Sequence, residues 1–203
     1  MEQLQIFSGD RGRYVATVTA ATLASAAAYD TGRSAAPRPG AAGELGPLTN
    51  LAVRRLLLGD KVAAAKFGTG RPVDDPARER EELGSVAVLA RNAGIDPDAG
   101  VRFFQAQIEA NKMVQRGLHA LWAAYPGLRP GERPDLAAEV RPELDRITTE
   151  IMRELRATRH IRGATEKCRT LLLRARLAVE PRVRLDTLHR EALSVALRPI
   201  CVP

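Results

Sequence analysis

The chain has 203 residues, two cysteines and a net charge of +7, with 31 Lys and Arg against 24 Asp and Glu. That length suffices for one domain with a real core, and no stretch is long and apolar enough to span a membrane. The charges are interleaved and aromatics make up only 4% of the chain, so the basic stripe and stacking rings expected of a nucleic-acid binder are missing. The basic balance alone allows nucleic acid, a membrane surface or an anionic small molecule as partner, with a solvated basic surface as the plainer reading.

After Arg11 and Arg13 comes a mildly apolar run, Tyr14 to Ala28, ending in small residues that fit an Ala-x-Ala cleavage site. Residues 1–28 therefore read as a secretory signal peptide, with an unfolded tail as the alternative. Residues 29–46 are rich in Pro, Gly and Ala and read as a flexible linker, which leaves residues 47–203 as the folded domain.

Within that domain helical signals follow one another and no segment alternates as a strand would. The first helix begins near Pro47 or Thr49 and runs to Phe67, stopped by Gly68 and Gly70. Asp75-Pro76 is an N-cap followed by proline at N1, opening a helix to Asn92, and Asp96-Pro97 repeats the signal for a long helix to about Tyr125. The segment Pro126–Pro134 breaks the chain before Asp135 caps another helix. Pro142 lies inside that pattern, so the helix kinks there or begins near Arg141. Two further helices span Gly163–Val179 and Leu185–Leu197. The fold class is all-α, a single-domain array of about six helices.

The informative residues are polar ones on apolar stripes. With about 100° per residue and Arg55 as zero, Leu48, Leu51, Leu58 and Val62 fall within about 60° of it, and Lys66 falls near 20°. Arg55 and Lys66 thus share the stripe, about 16 Å apart at about 1.5 Å per residue. Arg54 and Lys61 fall toward a flank where solvated charge belongs. On the long helix, with Ile108 as zero, Asn111 and Gln115 lie near about 300° and 340°, on the face of Phe104 and Leu118. Long cations can snorkel and amides can bond the backbone. Four such residues on two helices, with no acid on the same faces, point instead to a ligand carrying carboxylates or phosphates. The charged segment from Arg71 to Glu82 adds Arg78 and Glu79 in the first turn after the Asp75 cap, within reach of Lys66 or simply solvated.

Cys168 and Cys201 come without a CxxC or a His-rich cluster, so no metal site is read from them. They are buried thiols or, in an exported chain, a pair.

Taken together, Arg55, Lys66 eleven residues later, Arg71-Pro-Val-x-Asp75-x-x-Arg78-Glu79 and Asn111-x-x-x-Gln115 resemble the all-helical chorismate mutase family, over roughly Pro47 to Cys201. The likeness is closest to its exported (gamma) subclass, which has a signal peptide and a disulfide where Cys168 and Cys201 stand. The resemblance implies a secreted or periplasmic enzyme that converts chorismate to prephenate by a concerted [3,3] shift, with no cofactor and no metal. It implies that Lys66 and Gln115 donate to the breaking ether oxygen and that Arg55 binds a carboxylate. Arg78 lines the pocket, Glu79 accepts from the ring hydroxyl, Asn111 helps hold the ring carboxylate, and Asp75 belongs to the same substrate-binding set.

Cytosolic dimers take a further arginine from the partner, so a homodimer is compatible with the resemblance. The exported subclass supplies that arginine from its own later helix, where Arg141 is the match. Position 82 is Glu where some exported members carry an uncharged residue, so it alters the pocket mouth or is solvated. An isochorismate–pyruvate lyase on the same fold and a non-catalytic exported helical binding protein are the rival readings. Neither nucleic acid nor membrane is expected as a partner.

Overall fold

The computed structural model describes residues 43–202. The signal peptide read over residues 1–28 and most of the linker over 29–46 lie outside them. Six α-helices follow in chain order, and among the described residues there is no strand.

Helix α1 (Gly46–Lys66) carries Pro47 in its first turn, where the missing N–H has no partner to lose. Beyond its end Gly68 and Gly70 take φ of 70° and 74°, a region that other residues rarely enter. Helix α2 (Pro76–Asn92) is capped by Asp75, which accepts from the Arg78 N–H at 3.0 Å, while Glu79 reaches back to the Asp75 N–H at 3.3 Å. That reciprocal arrangement fixes the start of α2 and the direction of Arg78 and Glu79. Helix α3 (Pro97–Ala124) is capped by Asp96 and is the longest, at 28 residues.

A 3₁₀ turn (Pro126–Leu128) follows, then Asp135 caps a π-helical turn, Leu136–Val140, that runs directly into α4 (Arg141–Ala157). Of the two alternatives at Pro142, the α-helix begins at Arg141, preceded directly by the π-helical turn. Pro142 has no N–H for the helical bond to Ala138, and the widened turn before it absorbs the loss.

Helix α5 (Glu166–Val183) differs from the expected Gly163–Val179 at both ends. The Thr165 hydroxyl accepts from the Cys168 N–H at 3.1 Å, a better cap than Gly163 provides. At the other end the helix passes Pro181, because the bond lost there belongs to the last turn and to Leu177, which is exposed, so water can serve its carbonyl. Arg184, in the left-handed region at φ 49°, ends it. Helix α6 (Thr187–Leu197) is capped by Asp186 and leads into a 3₁₀ turn, Arg198–Cys201.

Helix α1 is central and touches α3, α4, α5 and α6, while α2 lies on α3. Its Leu48, Val53 and Leu56 meet Phe103 and Phe104 of α3, Ile147, Ile151 and Leu155 of α4, and Leu193 and Leu197 of α6 in one buried core. Burying one such side chain contributes roughly 1.5–3 kcal/mol, so this core is the main stabilising term. The Cys168–Cys201 disulfide, with Cα atoms 5.7 Å apart, ties α5 to the C-terminal 3₁₀ turn. His189 is clamped between Asp186 at 2.7 Å and Asp60 of α1 at 2.8 Å, which pins the start of α6. Arg54 is not merely solvated: it bridges to Glu143 and Glu150 of α4 at 2.9 and 3.3 Å.

Candidate active site

Helix α1 forms one wall of a cavity of about 260 Å³. It contributes Arg55, Val62 and Lys66, and the loop before α2 contributes Arg71, Val73 and Asp75. Arg78, Glu79 and Glu82 come from α2, and Ile108, Asn111, Lys112 and Gln115 from α3. The π-helical turn and α4 close it with Leu136, Val140, Arg141 and Leu144. Arg55, Lys66, Asp75, Arg78, Glu79, Asn111, Gln115 and Arg141, singled out in the sequence, thus border one space.

Their exposures differ. Arg55 and Gln115 are buried, Lys66, Glu79 and Asn111 are half-buried, and Asp75, Arg78 and Arg141 are exposed. The guanidinium of Arg55 stacks over the Phe104 ring at 5.3 Å and donates to Glu82. The expectation that Arg55 lacks a protein counter-ion is thereby corrected. The acid stands on the neighbouring helix, and a single-helix projection cannot display it.

Lys66 donates to the Pro72 and Val73 carbonyls at 3.0 and 3.4 Å, so the loop that carries Arg71 is tied to the ammonium. Burial and the nearby Arg71 hold Lys66 below its ordinary lysine value. Asp75 lines the cavity while its carboxylate serves as the α2 cap. Gln115 Nε2 donates to Asn111 Oδ1 at 2.7 Å, and Gln115 Oε1 is buried with no partner among the described residues.

Sequence reasoning missed Lys112. It is buried and meets Glu109 at 2.7 Å, Glu79 at 3.1 Å and Asp74 at 3.4 Å. Burial works to lower its pKa, but hydrogen bonds to Glu109 and Glu79 prevail and hold it above the ordinary value. The signal was present: the same angular count puts Lys112 at about 40° from Ile108, on the face of Gln115. Arg71 was visible in the motif without a task.

Among the described residues, six cationic side chains and three carboxylates line this cavity together with apolar side chains, and no Ser, Cys, His or Tyr is among them. Fold and site together define an all-helical protein with a largely cationic interior pocket, a lining suited to a small polyanion.

The comparisons name the class. The family model for chorismate mutase type II matches residues 48–116, which include every lining residue from Arg55 to Gln115 but not Arg141. A secreted chorismate mutase of Mycolicibacterium smegmatis is 33% identical, over 79% of this chain and 87% of that protein. One from Mycobacterium tuberculosis is 30% identical over 78% of each. The crystal structure of chorismate mutase from Burkholderia phymatum matches with a TM-score of 0.75 at 34% identity, covering 80% of this chain and 98% of that one. The chain belongs to the all-helical chorismate mutase family and has chorismate mutase activity.

Proposed function

We propose that the cavity described above is the catalytic site and that its residues divide the work as follows. The reaction is an internal rearrangement in which one C–O bond breaks, one C–C bond forms and no proton is transferred. Rate enhancement must then come from holding the substrate's compact conformer and from stabilising charge on the ether oxygen. Lys66 supplies a charged donor to that oxygen, and the Gln115 amide supplies a neutral one. Arg55 takes one carboxylate of chorismate, with Arg141 closing over the substrate from α4 and Arg78 at the rim. Glu79 accepts from the ring hydroxyl, Asn111 steadies the ring carboxylate, and Asp75 keeps the first turn of α2 in place.

One observation carries this reading: eight residues drawn from α1, the loop, α2, α3 and α4 converge on a single cavity with a surplus of positive charge. A dicarboxylate balances that surplus, and the reaction needs no covalent step from the lining residues. The decisive experiment incubates purified protein separately with chorismate and isochorismate and identifies the products. Prephenate from chorismate is expected. Pyruvate release from isochorismate as the faster reaction would transfer the site to a lyase.

We also propose export, with residues 1–28 as the signal peptide, a linker after it, and an enzyme domain that already includes the buried Leu45 and the start of α1 at Gly46. The relatives named as secreted support this, as does a disulfide, which forms in oxidising compartments. Mass spectrometry of the N-terminus of protein recovered from culture medium tests it. All the proposed contacts come from one chain, so a homodimer, if sedimentation reveals one, is expected to leave the site's composition unchanged.

A further inference from the structure

The residue that engages Arg55 is Glu82, and three observations bear on what it does there. First, the two partners are unequally fixed. The Arg55 side chain is 7% exposed and stacked on Phe104, whereas the Glu82 side chain is 37% exposed and anchored on the outer helix α2. When such a pair opens, the carboxylate is the member that moves. Second, a buried guanidinium without a counter-ion is strongly unfavourable, so the site without substrate needs an anion at this point. Glu82 is that anion. Third, Glu82 also borders a second cavity of about 190 Å³ that Arg55 lines too, with Ser85, Arg141 and Thr148 among its other residues. A carboxylate that leaves Arg55 finds there two further arginines, Arg78 and Arg141, and two hydroxyls, beside the acids Glu81 and Asp145.

We propose that Glu82 sets the affinity of this enzyme for its substrate: it holds the place of the substrate carboxylate on Arg55 and must yield it when chorismate binds. This rests on the assignment of Arg55 to a substrate carboxylate. Binding then exchanges one carboxylate for another on the same guanidinium, and the apparent affinity falls by the fraction of molecules in which Glu82 holds Arg55. Lys66 and Lys112 are not subject to this exchange, because Lys66 bonds to carbonyls and Lys112 to acids other than Glu82.

The test measures steady-state prephenate formation for the wild type, Glu82→Gln, Glu82→Ala and Arg55→Ala at neutral pH, with thermal unfolding of each substrate-free variant. Both Glu82 variants are expected to lower KM by about fivefold or more, with kcat/KM rising in parallel. Glu82→Ala is also expected to unfold at a lower temperature, since Arg55 loses its counter-ion. Tighter substrate binding in a less stable protein is a combination that a merely structural Glu82 would not produce. A raised KM in Glu82→Ala, restored by Glu82→Gln, would mean that Glu82 orients Arg55 for the substrate, and the proposal would fall. An unmoved KM in both variants would overturn it as well. If Arg55→Ala raises KM while the Glu82 variants do not lower it, only the role of Glu82 is lost. If Arg55→Ala leaves KM unmoved, the Arg55 assignment fails and takes this proposal with it.

Discussion

Gln115 donates to Asn111 at 2.7 Å, one turn earlier on α3, and its own carbonyl oxygen is left buried without a partner among the described residues. An orphaned acceptor of this kind costs about 1–3 kcal/mol. With both amides turned over, Asn111 donates to Gln115 Oε1, and the Gln115 N–H takes the unpartnered position instead, where a ligand oxygen can accept from it. The pair therefore has two settings, and the donor role proposed for Gln115 uses the second. Gln115→Glu follows from this. A carboxyl donates only while protonated, and an ordinary Glu titrates near about 4.3, so the variant should gain activity as pH falls. The wild type, whose donor does not titrate, should be nearly flat from mildly acidic to neutral pH. A steep acid optimum in the wild type would remove Gln115 from the ether oxygen.

Lys66 sets the opposite limb. Its pKa is lowered by burial and by Arg71, so its ammonium is lost at a lower pH than an ordinary lysine would lose it. The kcat/KM profile should accordingly decline on the alkaline side below the usual lysine range. Arg71→Ala removes the repulsion and should move that decline to higher pH. Lys66→Ala should lower kcat by about 10²–10³, the usual loss for one donor to a developing negative charge.

Gly59 permits the close approach of α1 to α3 at the site. A Cβ at position 59 would lie 2.8 Å from Asn111 Nδ2, nearer than any real Cβ contact. Gly59→Ala must therefore push Asn111, and through it Gln115. A fall of roughly tenfold in kcat/KM is expected, with a smaller change in melting temperature, because a misplacement of order 1 Å near the reacting groups is felt mainly in rate. Kinetics and thermal unfolding on the same preparation separate the two.

His189 links stability to pH. Its hydrogen bond to Asp60 raises the pKa most, Asp186 adds to this, and burial opposes it, so the group titrates near about 9 instead of 6.5. A raised folded-state pKa favours folding fully below pH 6.5, and the contribution is lost as pH rises through about 9. The melting temperature should therefore fall by several degrees, on the order of 5 °C, between neutral pH and pH about 10. In His189→Gln that fall should be much smaller. Melting curves across pH for both proteins decide it.

Reduction of Cys168–Cys201 opens a loop with a sequence separation of 33. Closing a loop of that size contributes about 3–4 kcal/mol by restricting the unfolded chain. Adding a reductant, or making Cys168→Ala with Cys201→Ala, should lower the melting temperature markedly. Because the bridge lies between α5 and the C-terminal turn, neither of which lines the cavity, KM at low temperature should change little.

Much of the molecule could be read without coordinates. Asp75-Pro76 and Asp96-Pro97 start helices for local reasons, a side-chain cap and a preset φ, and both starts stand as read. The positions of Arg55, Lys66, Asn111 and Gln115 on their helices follow from about 3.6 residues per turn, which is also local. Harder to read were the ends of α5 and the turn at Pro142. There a cap choice, or a proline's lost bond, is decided by what surrounds the backbone.

Periodicity along single helices determined which side chains face inward on α1 and α3, and so announced an interior site of positive charge. Only the packing of helices decided that Glu82 of α2 meets Arg55 of α1, and that Lys112 draws acids from the loop, α2 and α3. It also brought Arg141 across from α4. The physical reason is one of range. A helix turns its own residues by a fixed angle, but the rotation and offset of one helix against the next depend on how the whole core fills space. Which acid answers which cation is settled there.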